Sequence, residues 1–459
     1  MRRMRMQEVK EEEFIPRSDE LVSLVEGGAH GEELKRVLSG EKPADIARAL
    51  ERLGENGRKA VLAALDDESA GEVLVEADEL TRSELVRMLR AERIAGIVEE
   101  LPPDDAADMV SELPEEKRNR VLGRMPEEDS AEVRALLEYA EETGGGLMTP
   151  ELVAVREDMA AAEAMQALRK LEEPETIFFV HVVDADRKLV GSVPLGRLLA
   201  ADPTSRVGTL VDPDVVSIRD NADQEEIGRT FREYNLTVAP VVDAEGRLLG
   251  RITVDDVVEV IEEEATEDAY KLAGSDDEEL AQRSAFAVAK IRLQWLLICL
   301  GGSLLAATVV NNFEGALQNL FILTVFIPVI MDTGGNVGLQ TSAITVRGLA
   351  TGRLTTGYVL PLILRETGIG AIIASACGGA IGLLAWIWSR TLAVGIAIGV
   401  AMICALTVSA AMGFFVPVSL KRLGKDPAIA SGPLITTIND GVGLFIYLGL
   451  ASLLLKALQ

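Results

Sequence analysis

Two carboxylates stand inside apolar stretches of this 459-residue chain, where a charge is costly. Asp440 lies in SGPLITTINDGVGLF, residues 431–445, beside Thr436, Thr437 and Asn439. Asp332 lies in PVIMDTGGNVGLQTSA, residues 328–343, with Asn336, Gln340 and Thr341. An ionised side chain at membrane depth usually faces a protein interior or an aqueous path. Surroundings rich in oxygen and poor in nitrogen or sulfur suit a hard cation. A neutral or paired structural carboxylate is the alternative at each position. Pro328, Gly334, Gly335 and Gly338 are expected to loosen the backbone around Asp332, which a membrane tolerates where the chain is buried in protein or lines a cavity.

These residues need apolar helices to hold them. Five stretches, 293–311, 317–346, 358–388, 391–420 and 428–456, reach the roughly 20 residues that cross a bilayer core. They lack the polar face of soluble helices. Arg347 and Arg353 follow the second stretch, and Lys421, Arg422 and Lys425 follow the fourth. Positive loops stay in the cytoplasm. The long N-terminal region is therefore expected in the cytosol, with the C-terminus outside and the chain as a multi-pass protein of the cell (inner) membrane. Glu314 and Asp426 read as loop residues, Glu366 as an interfacial or paired charge, and Gly378, Gly379 and Gly382 as sites of close helix packing.

Charge divides the chain. Residues 1–290 hold 36 Lys and Arg against 68 Asp and Glu, and residues 291–459 hold 9 against 5. That balance excludes a basic nucleic-acid binder and favours attraction of cations. Cys299, Cys377 and Cys404 have no metal-binding spacing, and His30 and His181 are far apart. A zinc site, a disulfide frame and a Ser-His-Asp triad are all poorly supplied. The N-terminal MRRMRMQEVKEEE lacks the apolar run of a signal peptide. No nucleophile–base pair suggests an enzyme, and no Walker-type motif suggests ATP hydrolysis.

The acidic region has internal order. Leu101-Pro102, Leu113-Pro114 and Met125-Pro126 recur every 12 residues, each followed by acidic helix formers, which predicts an α-helical superhelix over 18–142. Its acidic positions, including Glu72, Asp104, Asp105 and Asp108, read by default as a solvated face. VVDADRKLVGSV, residues 182–193, resembles VVDAEGRLLGRI, residues 241–252, and GGGLMTPELVAV, residues 144–155, resembles VGTLVDPDVVSI, residues 207–218. Each copy predicts an initial turn, an amphipathic helix, an apolar strand, a VVD turn and a second helix. The pair resembles tandem cystathionine-β-synthase-type (CBS) domains, at 143–205 and 206–262. Such domains hold adenine nucleotides with a small hydroxyl residue and an Asp. The second copy offers Thr253 and Asp256 for ATP, whereas the first has Pro194 and Arg197 there. The alternative is a dimerising scaffold. Residues 263–290 read as an acidic connecting helix with a break at Gly274, leading to a transmembrane domain at 291–459.

This order, with GGLMTP (145–150), EEEATED (262–268), PVIMDTGGNVGLQ (328–340) and GPLITTINDGVGLFIYL (432–448), resembles the MgtE magnesium channels and transporters. The resemblance implies a homodimer with a pore on the twofold axis and Asp440 as its ion-facing carboxylate. It also implies closure by cytosolic Mg2+. Positions matching the family's acidic sensor residues are Glu72, Asp104, Asp256, Glu259, Glu264, Glu267 and Asp268, and Asp108 joins the candidate cation ligands. Gly432 stands where some members carry Asn, Asp332 where members often have a small residue, and Asn235 where some have Asp. Mg2+ is the implied cargo, entering down its gradient. The competing readings are a transporter of another divalent ion, Mn2+ or Co2+, and a membrane-anchored CBS nucleotide sensor.

Overall fold

The computed structural model describes residues 17–169, 178–275, 279, 284–319, 321–354, 359–430 and 432–458, and it divides after Glu259 into two compact units. The first unit opens with helices α1 (Arg17–Glu26) through α10 (Glu127–Leu136). Pro102, Pro114 and Pro126 cap the starts of α8 (Pro103–Ser111), α9 (Glu115–Leu122) and α10, so the 12-residue repeat marks three successive helix starts. Alternate helices stack: α1 on α3 (Pro43–Arg52), α3 on α5 (Asp67–Val75), and α5 on α7 (Ala91–Glu99).

Cations from later helices close the C-termini of earlier ones. Arg58 donates to the carbonyls of Leu50 and Glu51, Arg93 to Leu65, and Lys117 to Val86 and Leu89. These bonds satisfy carbonyls that a helix end leaves unpaired and oppose its dipole.

Each CBS copy folds as strand, helix, hairpin and helix. The first contains β1 (Ala154–Arg156), α11 (Ala161–Leu168), β2 (Phe179–Val183), β3 (Leu189–Pro194) and α12 (Leu195–Ala200). The second contains β4 (Ile218–Arg219), α13 (Gln224–Tyr234), β5 (Val238–Val242), β6 (Leu248–Thr253) and α14 (Val254–Ala273). In both, the first strand pairs parallel to the second and the second pairs antiparallel to the third. The VVD turn thus leads into a further strand, β3 or β6, rather than directly into a helix. Its Asp accepts from two main-chain amides beyond it, Asp184 from Asp186 and Lys188, and Asp243 from Glu245 and Arg247. This side-chain turn explains the repeated Asp.

The helical array shares one apolar core with the second CBS copy through Ile218, Phe231, Val241 and Val257, whereas the first copy has its own core around Val180, Val182 and Leu198. Main-chain bonds between Thr149 and Arg251, 2.9 Å each way, reinforce the joint. A Cβ on Gly144 or Gly146 would collide with the carbonyls of Arg219 and Ala140, which accounts for the glycine run.

The second CBS copy's last helix and the connecting helix are one element, α14. It ends where Gly274 takes φ +74, so the expected break is present. Residues 285–290, expected in the connector, form the first turns of α15 (Ala285–Asn312). Residues 276–278 and 280–283 of the expected connector lie outside the described residues.

The second unit continues with short helices α16 (Glu314–Asn319) and α17 (Ile322–Val325), then α18 (Ile327–Ala350), α19 (Val359–Ser389), α20 (Leu392–Arg422) and α21 (Pro433–Leu458). Among the described residues, four helices are long and apolar enough to cross a membrane: α15, α19, α20 and α21. The fifth expected span is α18, whose 24 residues include Asp332, Asn336 and Gln340. Contrary to the expectation of a loosened backbone, α18 is one continuous helix, and the breaks fall before it. Pro328 sits in its first turn, where no main-chain donor is lost. Its glycines make room for neighbours, as described below. Gly378 and Gly382 of α19 meet Gly399 and Gly395 of α20 at backbone distance, whereas Gly379 faces open space.

Candidate ion pathway and cation-sensing groups

Helices α18 and α21 meet through small residues. Gly335 faces Thr436, Gly338 faces Asn439, and Asn439 Nδ2 donates to the Gly334 carbonyl at 3.5 Å. Asp440 follows seven residues after Pro433, about 10 Å along the helix. It is half-buried and makes no hydrogen bond or ion pair among the described residues. Asp332, Asn336 and Gln340 recur every four residues and are all exposed on one face of α18.

The other pathway candidates turn inward. Thr436 Oγ1 donates to the Gly432 carbonyl at 2.7 Å, the Thr437 methyl packs on Gly302 of α15, and Asn439 is 3% exposed. Gly432 takes φ +60, and a Cβ there would strike the Leu272 carbonyl. The main chain therefore explains its glycine. Asn235 is likewise a left-handed C-cap of α13, with φ 52, a conformation that Asn tolerates.

The end of α14 is fastened to the approach to α21. Lys271 bonds Glu267 on its own helix and Asp426 at 2.7 Å, while Gly274 lies against Pro433. Burial alone would lower the Lys271 pKa, but the bonds to Asp426 and Glu267 outweigh it and hold the ammonium above its usual value. Glu264 and Asp268 lie on the same helix and are partly buried. Sequence reasoning placed Asp426 in a loop but missed this pairing, because its partner is 155 residues away.

In the first unit, carboxylates from α8 and α14 gather near Arg82. Burial pushes the Asp105 carboxyl up to about 7, helped by Asp104 and Asp256 and opposed by Arg82, with Glu259 adding to the rise. Burial also raises Asp256 to about 6, against its bond from Thr253. Asp104 is raised by burial and steadied by Thr149 and Arg251, and its Oδ1 is buried without a partner among the described residues. The protein around Asp108 raises its pKa as well, with Arg82 opposing and Asp104 and Asp105 assisting. Arg82 bonds Glu112 at 2.7 Å. A buried orphan oxygen and carboxyls resisting ionisation fit a place for a cation. No three His, Cys, Asp or Glu side chains converge tightly enough to chelate a bare ion among the described residues.

Asp105 and Arg82 were not among the ligand candidates, although Asp105 adjoins one. Glu72 stands exposed on α5, with no hydrogen bond or ion pair tying it to this group among the described residues. At the candidate nucleotide cleft, Thr253 Oγ1 donates to Asp256 Oδ2 at 2.6 Å. In the first copy Arg197 instead donates to the Leu210 carbonyl at 3.0 Å.

Comparison with known proteins gives the domains a family context. The MgtE family, described as a divalent cation transporter, matches residues 327–450, the MgtE intracellular N domain matches 41–142, and CBS domains match 145–203 and 207–263. The magnesium transporter MgtE of Thermus thermophilus is 40% identical over 331 residues, covering 71% of this chain and 73% of that protein. The magnesium transporter MgtE of Bacillus subtilis is 29% identical over 427 residues, covering 93% and 95%. A crystal structure of the cytosolic domain of the Mg2+ channel MgtE in complex with ATP is similar at 38% identity and TM-score 0.50, covering 53% of this chain and 99% of that one.

Proposed function

The chain belongs to the MgtE family of magnesium transporters, and we propose that it passes Mg2+ down its gradient past Asp440 and closes when cytosolic Mg2+ rises. It is a multi-pass membrane protein with a cytosolic N-terminal region, in a family of transporters rather than enzymes. The observation that carries the pore reading is Asp440, a half-buried carboxylate inside a membrane helix without a protein partner among the described residues. Mg2+ sheds water reluctantly, so Asp440 attracts the hydrated ion through outer-shell hydrogen bonds. Weak outer-shell binding also permits release. An inside-negative potential favours entry by about 2.3 kcal/mol per charge per 100 mV, and about twice that for a divalent ion.

A second copy completes the path. The face bearing Asp332, Asn336 and Gln340 is exposed in one chain, an arrangement that suits a water-filled dimer axis. For gating, Asp104, Asp105, Asp108, Asp256 and Glu259 with Glu72, Glu264, Glu267 and Asp268 supply oxygen ligands for cytosolic Mg2+. The ion favours the closed arrangement by differential affinity, and the fastened end of α14 conveys closure to the start of α21. Thr253 and Asp256 hold ATP, as suggested by the related cytosolic domain crystallised with that nucleotide.

The test is flux through purified protein in liposomes beside limited proteolysis over one Mg2+ titration. Neutralising Asp104, Asp256, Glu264, Glu267 and Asp268 together should leave the pore open and the soluble part cleavable at high Mg2+. A variant that closes and resists protease at the wild-type concentration refutes the gate. Competition by Mn2+ and Co2+ in the same liposomes separates Mg2+ transport from a broader divalent pathway.

A further inference from the structure

Asn439 carries an amide into the seam between α18 and α21, where almost none of it is exposed. Its Nδ2 reaches the Gly334 carbonyl, and any Cβ on residue 338 would overlap that nitrogen. Its Oδ1 is buried and has no hydrogen-bond partner among the described residues. One turn earlier, Thr436 occupies the space left by Gly335 in the same manner.

An apolar side chain would fill this gap without the cost of burying an unmet carbonyl. Apolar seams also leave rotation and sliding weakly determined, whereas an amide that meets one carbonyl through a glycine gap selects one height and one angle. Asp440 is the next residue, about 100° further around α21. Any turn of α21 that breaks the Asn439 contact swings Asp440 by the same angle.

We propose that Asn439 is a positioning residue, whose amide clasps the glycine gap of α18 and thereby fixes the direction in which Asp440 meets the hydrated ion. The proposal rests on the reading of Asp440 as the ion-contacting group. It removes Asn439 from the water-lined surface and places it behind that surface. It also ties Gly338 to the clasp, because a Cβ there would overlap the Asn439 amide nitrogen besides pressing on Ile435.

The experiment uses the full-length chain in liposomes, with Mg2+ flux and its block by hexaamminecobalt(III), an inert mimic of hydrated Mg2+. Asn439→Leu should keep its melting temperature while flux falls roughly tenfold and the blocker loses potency, as expected when a functional group is displaced by part of an ångström. Wild-type flux and wild-type block in Asn439→Leu would overturn the proposal. Gly338→Ala should lose both stability and flux by crowding the amide. The double variant Gly338→Ala/Asn439→Ser relieves the overlap, so its melting temperature should recover while flux and block do not. Full recovery of flux with stability would show Asn439 to be only a space filler, and this pair decides the matter if Asn439→Leu does not fold. Asp440→Asn is measured alongside. Loss there with full activity in Asn439→Leu refutes the clasp alone, and wild-type flux in Asp440→Asn refutes the pore assignment and the clasp with it.

Discussion

Replacing Lys271 by Met keeps most of the side chain's length and removes its charge, unfastening the end of α14 from Asp426. The Lys271 side chain is 21% exposed and that of Asp426 36%, so their pair is neither fully screened nor fully buried. Hydrogen bonds to charged groups contribute about 1.5–3 kcal/mol when well shielded, and exposed ion pairs about 0–1. The intermediate setting gives about 1 kcal/mol, which shifts the ratio of closed to open channels about fivefold, since about 1.4 kcal/mol is tenfold. If the pair forms only in the closed state, residual flux at a closing concentration of cytosolic Mg2+ should rise by about that factor. Flux at very low Mg2+, where the gate is already open, should not change. Asp426→Asn should match Lys271→Met, because an Asn can still accept from the Ala428 amide, which Asp426 also bonds. The double variant should add nothing to either single change. Unchanged residual flux in Lys271→Met, or fully additive effects in the double variant, would refute the fastening.

Three further outcomes follow from other residues. Asp332→Asn should alter Mg2+ flux or its competition by Mn2+ less severely than Asp440→Ala, which should abolish flux in folded protein; unchanged flux and competition in Asp332→Asn would return that residue to structure. Asp256→Ala should weaken ATP binding, measured by calorimetry on the cytosolic part, since it removes the acceptor of the Thr253 hydroxyl; no heat from wild type at millimolar ATP would leave this cleft without a nucleotide. Burial pushes His181 down to about 4, while its Nδ1 pairs with Ser192 Oγ at 2.8 Å. The unfolded chain takes up that proton near pH 6.5, so the stability carried by neutral His181 is complete above that pH. It is lost as pH falls toward 4, by up to about 3 kcal/mol. Denaturant unfolding of wild type and His181→Gln should therefore diverge in slope between pH 6.5 and 4, and parallel curves would contradict the shift.

Sequence revealed the parts whose cause is local. Pro102, Pro114 and Pro126 announce helix starts because proline fits there and nowhere deeper, and Asp184 and Asp243 mark turns through bonds only two to four residues long. The strands β3 and β6 were hidden behind those turns, because LVGSV and LLGRI are too short to separate strand from helix by period. Gly334, Gly335 and Gly338 suggested a loosened helix, since glycine weakens an isolated one. In the folded chain the same absence of Cβ lets α21 approach, and packing outweighs propensity. The type and place of Asp440 were legible as a charge in an apolar run. Its relation to Asn439, one residue behind a buried clasp, depends on which face of α21 meets α18, and no spacing in the sequence states that.

Because Val257 in the first turn of α14 belongs to the core shared by the helical array and the second CBS copy, that helix is rooted in solid protein. Lys271 stands 14 residues beyond Val257 on the same helix, about 21 Å along its axis. A tilt of about five degrees at the root moves Lys271 by roughly 1.8 Å, close to the H···O length of one hydrogen bond. Were the proposed Mg2+ gate to act through this helix, a displacement of that size would decide whether Lys271 reaches Asp426, 2.7 Å away, or misses it.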